Sequence, residues 1–414
     1  MKKKFSVISL GCFRNTYDSQ LIITEFVNKG YVYTENLDKL DLLVINTCGF
    51  VQSAKEESLD ILEKAVDSKR SGQIKKIIVI GCLVQRYQSQ LSKFFPEIDQ
   101  WRGVVAFPAK LKNNDLFSPK WLGFLKIAEG CNNFCSYCAI PLIKGSLRSM
   151  PAKDILSVAS MFNDRGVKEL NIIGQDITSW GYDFSPKLNL CYLLKEILKV
   201  TIDIDWIRLL YLHPEHISDE LIDLIADNRR ICNYIDLPIQ HINDRILQSM
   251  NRPITRKQIM QLIKKIRRKI PGVALRTSVI VGFPGETEEQ FKELLGFIEE
   301  IKFERLGAFV YSREEGTKAY KMPGQVHHKT KKRRWRQLME KQKSISYEYN
   351  KSFVNKDIDI LVEERENNFY LGRSQFSAYD IDGIVYLESN KQHKEGTFAK
   401  VKVKDAYEYD LVAE

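Results

Sequence analysis

The sequence predicts an α/β protein in three parts: an N-terminal open parallel α/β domain over residues 1–115, a central partial (β/α) barrel over 116–344, and a small antiparallel β-barrel over 345–414. Three observations predict it. Short apolar runs alternate with helical patterns at the N-terminus, which argues for a parallel sheet. Six further strand–helix units follow within about 220 residues, enough for an open or partial barrel with its site at the C-terminal strand ends. Beyond Ser344 only short, alternating runs remain, which suit a small closed β-module.

In the first part, Phe5–Leu10, Asp41–Asn46 and Lys76–Ile80 read as strands. Ser19–Asn28, Ser53–Asp67 and Gln85–Phe95 read as the helices between and after them. A polar stretch near Lys110–Lys120 reads as a linker. Barrel strands are expected at Gly123–Ile127, Glu169–Ile173, Trp206–Leu212, Tyr234–Leu237, Ala274–Val281 and Arg305–Tyr311. The last part offers Ile358–Glu363, Phe369–Arg373, Gly383–Leu387 and Thr397–Lys404.

Composition is that of an ordinary globular chain. It has 414 residues, is 44% hydrophobic and 28% charged, and carries a formal net charge of +10. This excludes a disordered, collagenous or wholly coiled-coil protein. No apolar run approaches the length of a membrane span. Lys2–Lys4, the apolar run Phe5–Leu10 and Gly11-Cys12 mimic a lipoprotein signal, but the run is too short for one, so a cytoplasmic protein with reduced thiols is expected. Eight cysteines are too few for a disulfide scaffold. The charge is localised: residues 252–269 hold 8 Lys+Arg and no acid, residues 329–343 hold 8 and one acid, and residues 345–414 hold 9 against 14 Asp+Glu. Each basic stretch reads either as a solvated helix face or as a surface for RNA.

The cysteines carry the chemistry. Cys131, Cys135 and Cys138 form a C-x3-C-x2-C run just after the first barrel strand. Three thiolates can hold three irons of a 4Fe-4S cube and leave the fourth open to a ligand. The alternative is a zinc loop that borrows a distant fourth ligand. Cys12, Cys48 and Cys82 each follow one N-terminal strand, and each has a glycine neighbour: Gly11, Gly49 and Gly81. Parallel strands end on one edge, so these three thiols face one crevice. They read as a second three-cysteine iron–sulfur site, although a single buried cysteine is ordinarily just a small hydrophobe. Cys191 and Cys232 lack such context and read as packing residues, as do His213 and His241.

The C-x3-C-x2-C run resembles the signature of the radical S-adenosylmethionine (SAM) superfamily. That resemblance implies a cluster whose open iron binds the methionine end of SAM, which is then cleaved reductively to a 5′-deoxyadenosyl radical. Tyr137 stands at the aromatic position whose backbone approaches the adenine. Gly11-Cys-Phe-Arg-Asn15, Asn46-Thr-Cys-Gly-Phe50 and Gly81-Cys-Leu83 look like the N-terminal motifs of the methylthiotransferase family, with a TRAM-like module at the C-terminus. The family implies two 4Fe-4S clusters and two equivalents of SAM, one methylating sulfur at the Cys12/Cys48/Cys82 cluster and one cleaved at the other. Gln175, Asp176 and Arg276 are read at strand ends, as candidates for the methionine or ribose end or, for Arg276 and a carboxylate, as a structural ion pair; Gly282, in Gly-Phe-Pro-Gly-Glu286, resembles the adenine-contacting region or is an ordinary βα turn. No acid–base residue distinct from the cluster ligands is expected.

Within the family, Gly174-Gln-Asp-Ile-Thr178 with Gly181 and Asp183, Tyr311-Ser-Arg-Glu-Glu-Gly-Thr317 and Tyr370-Leu-Gly-Arg-Ser374 resemble the branch that modifies an aspartate of small-subunit ribosomal protein twelve. Phe13-Arg14 in place of Pro-Lys, Met150 in place of Arg and Lys318 in place of Pro depart from its pattern. The expected partners are that ribosomal protein, ribosomal RNA nearby, and an external electron donor such as ferredoxin or flavodoxin, with no membrane. The rival readings are a tRNA adenosine methylthiotransferase and a non-catalytic iron–sulfur electron carrier.

Overall fold

Continuous apolar runs in the first domain become strands buried on both faces. The computed structural model describes residues 2–107 and 118–414, so most of the expected linker near Lys110–Lys120 lies outside the described residues. In chain order the domain comprises β1 (Lys4–Ser9), α1 (Phe13–Asn28), β2 (Val32–Tyr33), β3 (Leu42–Thr47), α2 (Gln52–Arg70), β4 (Ile77–Gly81), α3 (Cys82–Phe94) and β5 (Gln100–Trp101). The sheet order is β2-β1-β3-β4-β5, and every pair is parallel. The edge strands β2 and β5 are two residues each, too short to carry a periodicity. Two helices begin earlier than expected, α1 at Phe13 and α3 at Cys82. Cys12 thus caps α1 and Cys82 opens α3, which puts both thiols at the positive end of a helix.

The second part continues with β6 (Leu122–Lys126), β7 (Ala128–Glu129), α4 (Ile140–Lys144), β8 (Arg148–Ser149), α5 (Ala152–Asp164), β9 (Glu169–Ile173), α6 (Leu190–Val200), β10 (Trp206–Leu209), α7 (Asp219–Asp227) and β11 (Tyr234–Asp236). It ends with α8 (Asp244–Ser249), α9 (Arg256–Lys269), β12 (Ala274–Val281), α10 (Glu288–Ile301), β13 (Arg305–Val310) and α11 (His328–Lys351). All six expected strands form. β6, β9 and β10 pair in parallel, as do β11, β12 and β13, and the parallel bridge Ile207–Ile231 joins the two halves into one open arc. The antiparallel pair β7–β8, which no sequence pattern announced, brackets the cysteine run. The arc does not close on itself. Its β6 edge meets the first domain, where Phe13 stacks on Phe124 at 4.6 Å. An aromatic ring at position 13 thus fills a domain junction.

The third part forms β14 (Asp357–Glu366), β15 (Phe369–Ser374), β16 (Val385–Glu388), β17 (Phe398–Ala406) and β18 (Leu411–Ala413), closed in the order β14-β15-β16-β18-β17. The barrel was expected to be antiparallel, and four of its pairs are, but β16 and β18 pair in parallel. An odd number of strands cannot alternate direction all the way around a closed barrel, so one parallel pair is unavoidable. α11 runs unbroken through residues 344–345, where the third part was expected to begin.

The two flanking parts dock on opposite ends of the arc. Arg14 of the first domain donates to the carbonyl of Gly174, just past the end of β9. The β-barrel instead meets the residues that start the strands: Phe398 packs on Trp206, Asp382 accepts from Tyr234, and Arg373 pairs with Glu169. Functional groups of such barrels gather at the C-terminal strand ends, whereas the opposite end serves stability.

Candidate cysteine centres at the domain junction

Hydrogen bonds tie the three N-terminal strand ends into one ledge. The Asn15 side chain donates to the carbonyls of Leu10 (2.8 Å) and Thr47 (3.2 Å), and the Asn46 side chain donates to Asn15 (2.9 Å) and Ser19 (3.0 Å). Thr47 Oγ1 donates to Ile80 at 2.6 Å. Cys12, Cys48 and Cys82 follow these ends at once. The glycines beside them are required by space. At Gly11 (φ +91°) a Cβ would lie 2.8 Å from Cys48 Sγ, and at Gly81 (φ +102°) 2.5 Å from the Thr47 carbonyl. Cys48 is braced by Ser58, whose Oγ accepts from its N–H and donates to its carbonyl.

Charge differs across this triad. Burial pushes the Cys12 thiol up, but the Arg14 guanidinium and the N–H groups of Asn15 and Arg14 outweigh it, and its pKa is lowered. Burial raises Cys48 and pushes Cys82 up to about 12. Buried thiols held protonated in this way are groups that a metal deprotonates on binding.

The second triad lies on a loop strung between β7, α4 and α8. Ser136 binds the last turn of α8 through its N–H to the Met250 carbonyl (2.9 Å) and its Oγ to the Ser249 carbonyl (2.7 Å). Asn251 donates to Asn133 and Phe134, and Asn132 accepts from Leu147. Burial pushes Cys131 up to about 11 and Cys138 up to about 12. Arg252 points at Cys135 Sγ, 3.9 Å away. Gly130 (φ +77°) opens the loop so tightly that a Cβ would meet the Ser146 carbonyl at 2.1 Å. Gly130→Ala is therefore expected to displace the loop and reduce the iron bound at this triad about 10- to 100-fold in affinity, the range for disturbed ligand orientation. Iron content after anaerobic reconstitution checks this, and full occupancy in the variant would refute it.

The donor sets fit iron–sulfur clusters better than single ions. All six cysteines are free thiols. Among the described residues, only Asp176, His213 and His216 form a group whose ligand atoms all lie within 4.8 Å of one another, so neither cysteine triad is that compact. A tetrahedral zinc would hold its sulfurs about 3.8 Å apart.

The two triads face each other across the domain junction. Cys82 packs with Ala139 and Ile143, just beyond Cys138. Arg14 lies between the triads: it stacks over Tyr211 at 4.4 Å, and its charge reaches Cys12, Cys82 and Cys138. The departure from Lys at position 14 thus installs a planar cation able to stack and donate at once.

The candidate cofactor residues divide. Gln175 follows Gly174 and has both side-chain amide atoms buried without a partner, which fits a residue that holds a polar ligand. Asp176 accepts from Thr178, from Ser179 (2.6 Å), from Asn133 of the cysteine loop (2.9 Å) and from His216 (2.9 Å). Burial alone would raise its carboxyl, but His216, His213 and Ser179 hold it well below the usual range. Tyr137 packs with Ile246, Met250 and Phe283 beside the loop. Gly282 (φ +75°) lies against Lys331 and donates to Glu286.

Arg276 is not at a strand end as expected. It is the third residue of β12, pairs with Asp236 at 3.0 Å and faces Asp382 at 3.8 Å. The register sets Asp236, the last residue of short β11, opposite Arg276, so the strand continues five residues beyond it. His216, Asn133, Arg252 and Tyr211 escaped sequence reasoning. Only the His213-Pro-Glu-His216 spacing after a strand could have flagged one of them. His213 lies beside His216 (ring centroids 4.8 Å) with both ring nitrogens unpartnered. Cys191 and Cys232 lie in the main core, as expected of packing residues.

Comparison with known proteins agrees with the three-part fold. Three protein-family models match: the uncharacterized protein family UPF0004 over residues 4–103, the radical SAM superfamily over 125–298, and the TRAM domain over 354–414. A curated protein from Thermoanaerobacter sp. (strain X514), ribosomal protein uS12 methylthiotransferase RimO, is 42% identical with 100% of each chain covered. The protein of that name from Clostridium botulinum (strain Eklund 17B / Type B) is 43% identical over 99% of this chain and 98% of its own. Among solved structures, the radical SAM methyltransferase TsrM from Kitasatospora setae matches with a TM-score of 0.54 at 13% identity, covering 75% of each chain, a likeness of fold. With two cysteine triads on one junction and relatives matched end to end, the chain belongs to the RimO family of radical SAM methylthiotransferases.

Proposed function

We propose that this chain adds a methylthio group to the β-carbon of an aspartate in ribosomal protein uS12. The observation that carries the reading is identity of 41–43% to several curated uS12 methylthiotransferases, with 98–100% of each chain covered. Membership of the radical SAM superfamily implies a 4Fe-4S cluster and SAM. Cys131, Cys135 and Cys138 would hold that cluster, and Cys12, Cys48 and Cys82 a second one. When bound, these groups supply the carbon-centred radical chemistry and carry the sulfur to be delivered.

This chain's own residues bind and orient. Gln175 offers an unpartnered buried amide to a polar ligand. Asp176 braces the cysteine loop through Asn133 and remains anionic. Arg14 would balance the charge of the thiolates on both sides of it once they hold their clusters. The junction excludes water with Phe13 on Phe124 and with Ala139 and Ile143 against Cys82.

Replacing Cys12, Cys48 and Cys82 together by Ala tests the division of labour. Iron should fall from about eight to about four per chain. Reductive release of 5′-deoxyadenosine should persist, while the methylthio mass addition to purified uS12 should disappear. Methylthiolated tRNA with unmodified uS12 from the wild-type protein would overturn the substrate. Undiminished uS12 modification by the triple variant would overturn the second cluster.

A further inference from the structure

The two basic stretches of the sequence part company in the folded chain. On α9 the cations suit the helix. Arg267, Arg268 and Lys269 form its last turn, where the macrodipole is negative. Most are also paired: Arg256 with Glu293, Lys265 with Asp219, Arg267 with Glu304, and Lys269 with Asp223. Nothing there calls for an outside partner.

On α11 the arrangement is reversed. Its first nine residues, 328–336, hold six Lys+Arg, and its first turn holds no acid. Cations at a helix N-terminus oppose the macrodipole. Three of the six are used internally: Lys331 donates to the Tyr311 carbonyl, Arg334 pairs with Glu286 and Glu288, and Arg333 pairs with Glu288. Lys329, Lys332 and Arg336 are exposed and, among the described residues, have no carboxylate partner. They share one surface groove with Arg333 and Gln337. Trp335, 38% exposed, stands beside them with its Nε1 on the Ala308 carbonyl, next to Phe309, which is 52% exposed.

We propose that this face of α11 docks the phosphate backbone of RNA, with Trp335 available to stack on a base. Unpaired cations at i, i+3 and i+7, the first of them in the opening turn where it works against the dipole, are relieved by an anion. A cationic groove flanked by an exposed aromatic is what single-stranded RNA requires. Location agrees. Lys331 contacts the segment that follows β13, so this end of α11 lies on the side of the cysteine centres, whereas the acidic β-barrel lies at the opposite end of the arc. RNA docking is thereby assigned to α11 and not to the β-barrel. It stands apart from the cysteine chemistry, so its failure leaves the proposed reaction untouched.

Binding of a fluorescein-labelled single-stranded RNA of about 16 nucleotides to the full-length protein, followed by anisotropy over a salt series, provides the test. The triple variant Lys329→Gln, Lys332→Gln, Arg336→Gln should bind about tenfold more weakly, with a log–log salt slope shallower by about 2. It should melt no lower than the wild type, because the three exposed cations it removes have no carboxylate partner among the described residues and Lys329 opposes the helix dipole. A control with the same charge change on α9, Lys257→Gln, Lys264→Gln, Arg268→Gln, should leave affinity and slope within about twofold. Unchanged binding by the α11 variant overturns the proposal. So does an equal loss in the α9 control, which would reduce the effect to net charge, or a clear drop in the α11 variant's melting temperature. Binding of polyglutamate through the same cations, with RNA ignored, would assign the face to an acidic protein and also overturn it.

Discussion

Asp18→Ala should cost about 3–5 kcal/mol and loosen the first domain from the barrel. Asp18 of α1 belongs to a closed ring of four buried charges. Lys126 pairs with Asp18 and with Glu129 (3.0 Å), and Lys144 pairs with Asp18 (3.0 Å) and Glu129 (2.9 Å). All four side chains are at most 3% exposed. Burial alone would push Lys144 down and Glu129 up, but the opposite charges of the ring reverse both shifts. Removing Asp18 leaves two ammonium groups sharing one carboxylate away from water, and that uncompensated charge is the source of the cost.

Urea unfolding measures the cost. The double variant Asp18→Leu, Lys144→Met should recover much of the loss, because it leaves the Lys126–Glu129 pair balanced. A single variant within about 1 kcal/mol of the wild type would refute the ring's role. The functional consequence is specific. α1 begins beside Cys12, while β7 and α4 bracket Cys131–Cys138, so the ring sets the position of one triad against the other. Methylthio transfer should fall further than 5′-deoxyadenosine release.

The second large effect lies at the other end of the barrel. Arg373 and Arg208 converge on Glu169 at 2.5 and 2.7 Å, and Arg373 also binds Glu363 at 2.6 Å. Arg373, Arg208 and Glu169 are fully buried. Arg373→Met should cost about 3–5 kcal/mol, because Glu363 is left without its cation and Glu169 with one of two.

The pH dependence has a definite sign. Burial alone would raise Glu169, but the two arginines bring it down to about 2. A depressed carboxyl stabilises the fold above its unfolded pKa of about 4.3, and that contribution, about 3 kcal/mol, is lost as pH falls toward 2. Burial pushes the Glu363 carboxyl the other way, which offsets part of the acid sensitivity. Wild-type stability, read by denaturant unfolding, should therefore fall between about pH 5 and pH 2. Glu169→Gln should flatten that limb. An equally steep limb in the variant would place the acid sensitivity elsewhere.

Much of the site was legible because it is written in local order. Cys131, Cys135 and Cys138 are neighbours in the chain. Cys12, Cys48 and Cys82 each follow an apolar run that could only be a buried strand, and parallel strands must end on one edge. His216, Asn133 and Arg252 were not legible, because each gains its meaning from a partner on another segment. Arg276 misled for a related reason: its partner Asp236 stands on another strand, and only the pairing of β11 with β12 brings the two together as a buried ion pair.

By itself, the sequence determined the α/β class, the three parts, the three strand-end cysteines and the three of the C-x3-C-x2-C run, since hydrophobic periodicity and turn chemistry act over a few residues. Only the tertiary structure decided what those parts face. The Asp18 ring joins residues 108 and 126 positions apart, and the Glu169–Arg373 pair joins residues 204 apart. No local pattern encodes such pairings, because burial selects them after the chain has collapsed. The same holds for the basic stretches: on α9 folding supplied carboxylates and a favourable dipole, and on the outer face of α11 it supplied neither.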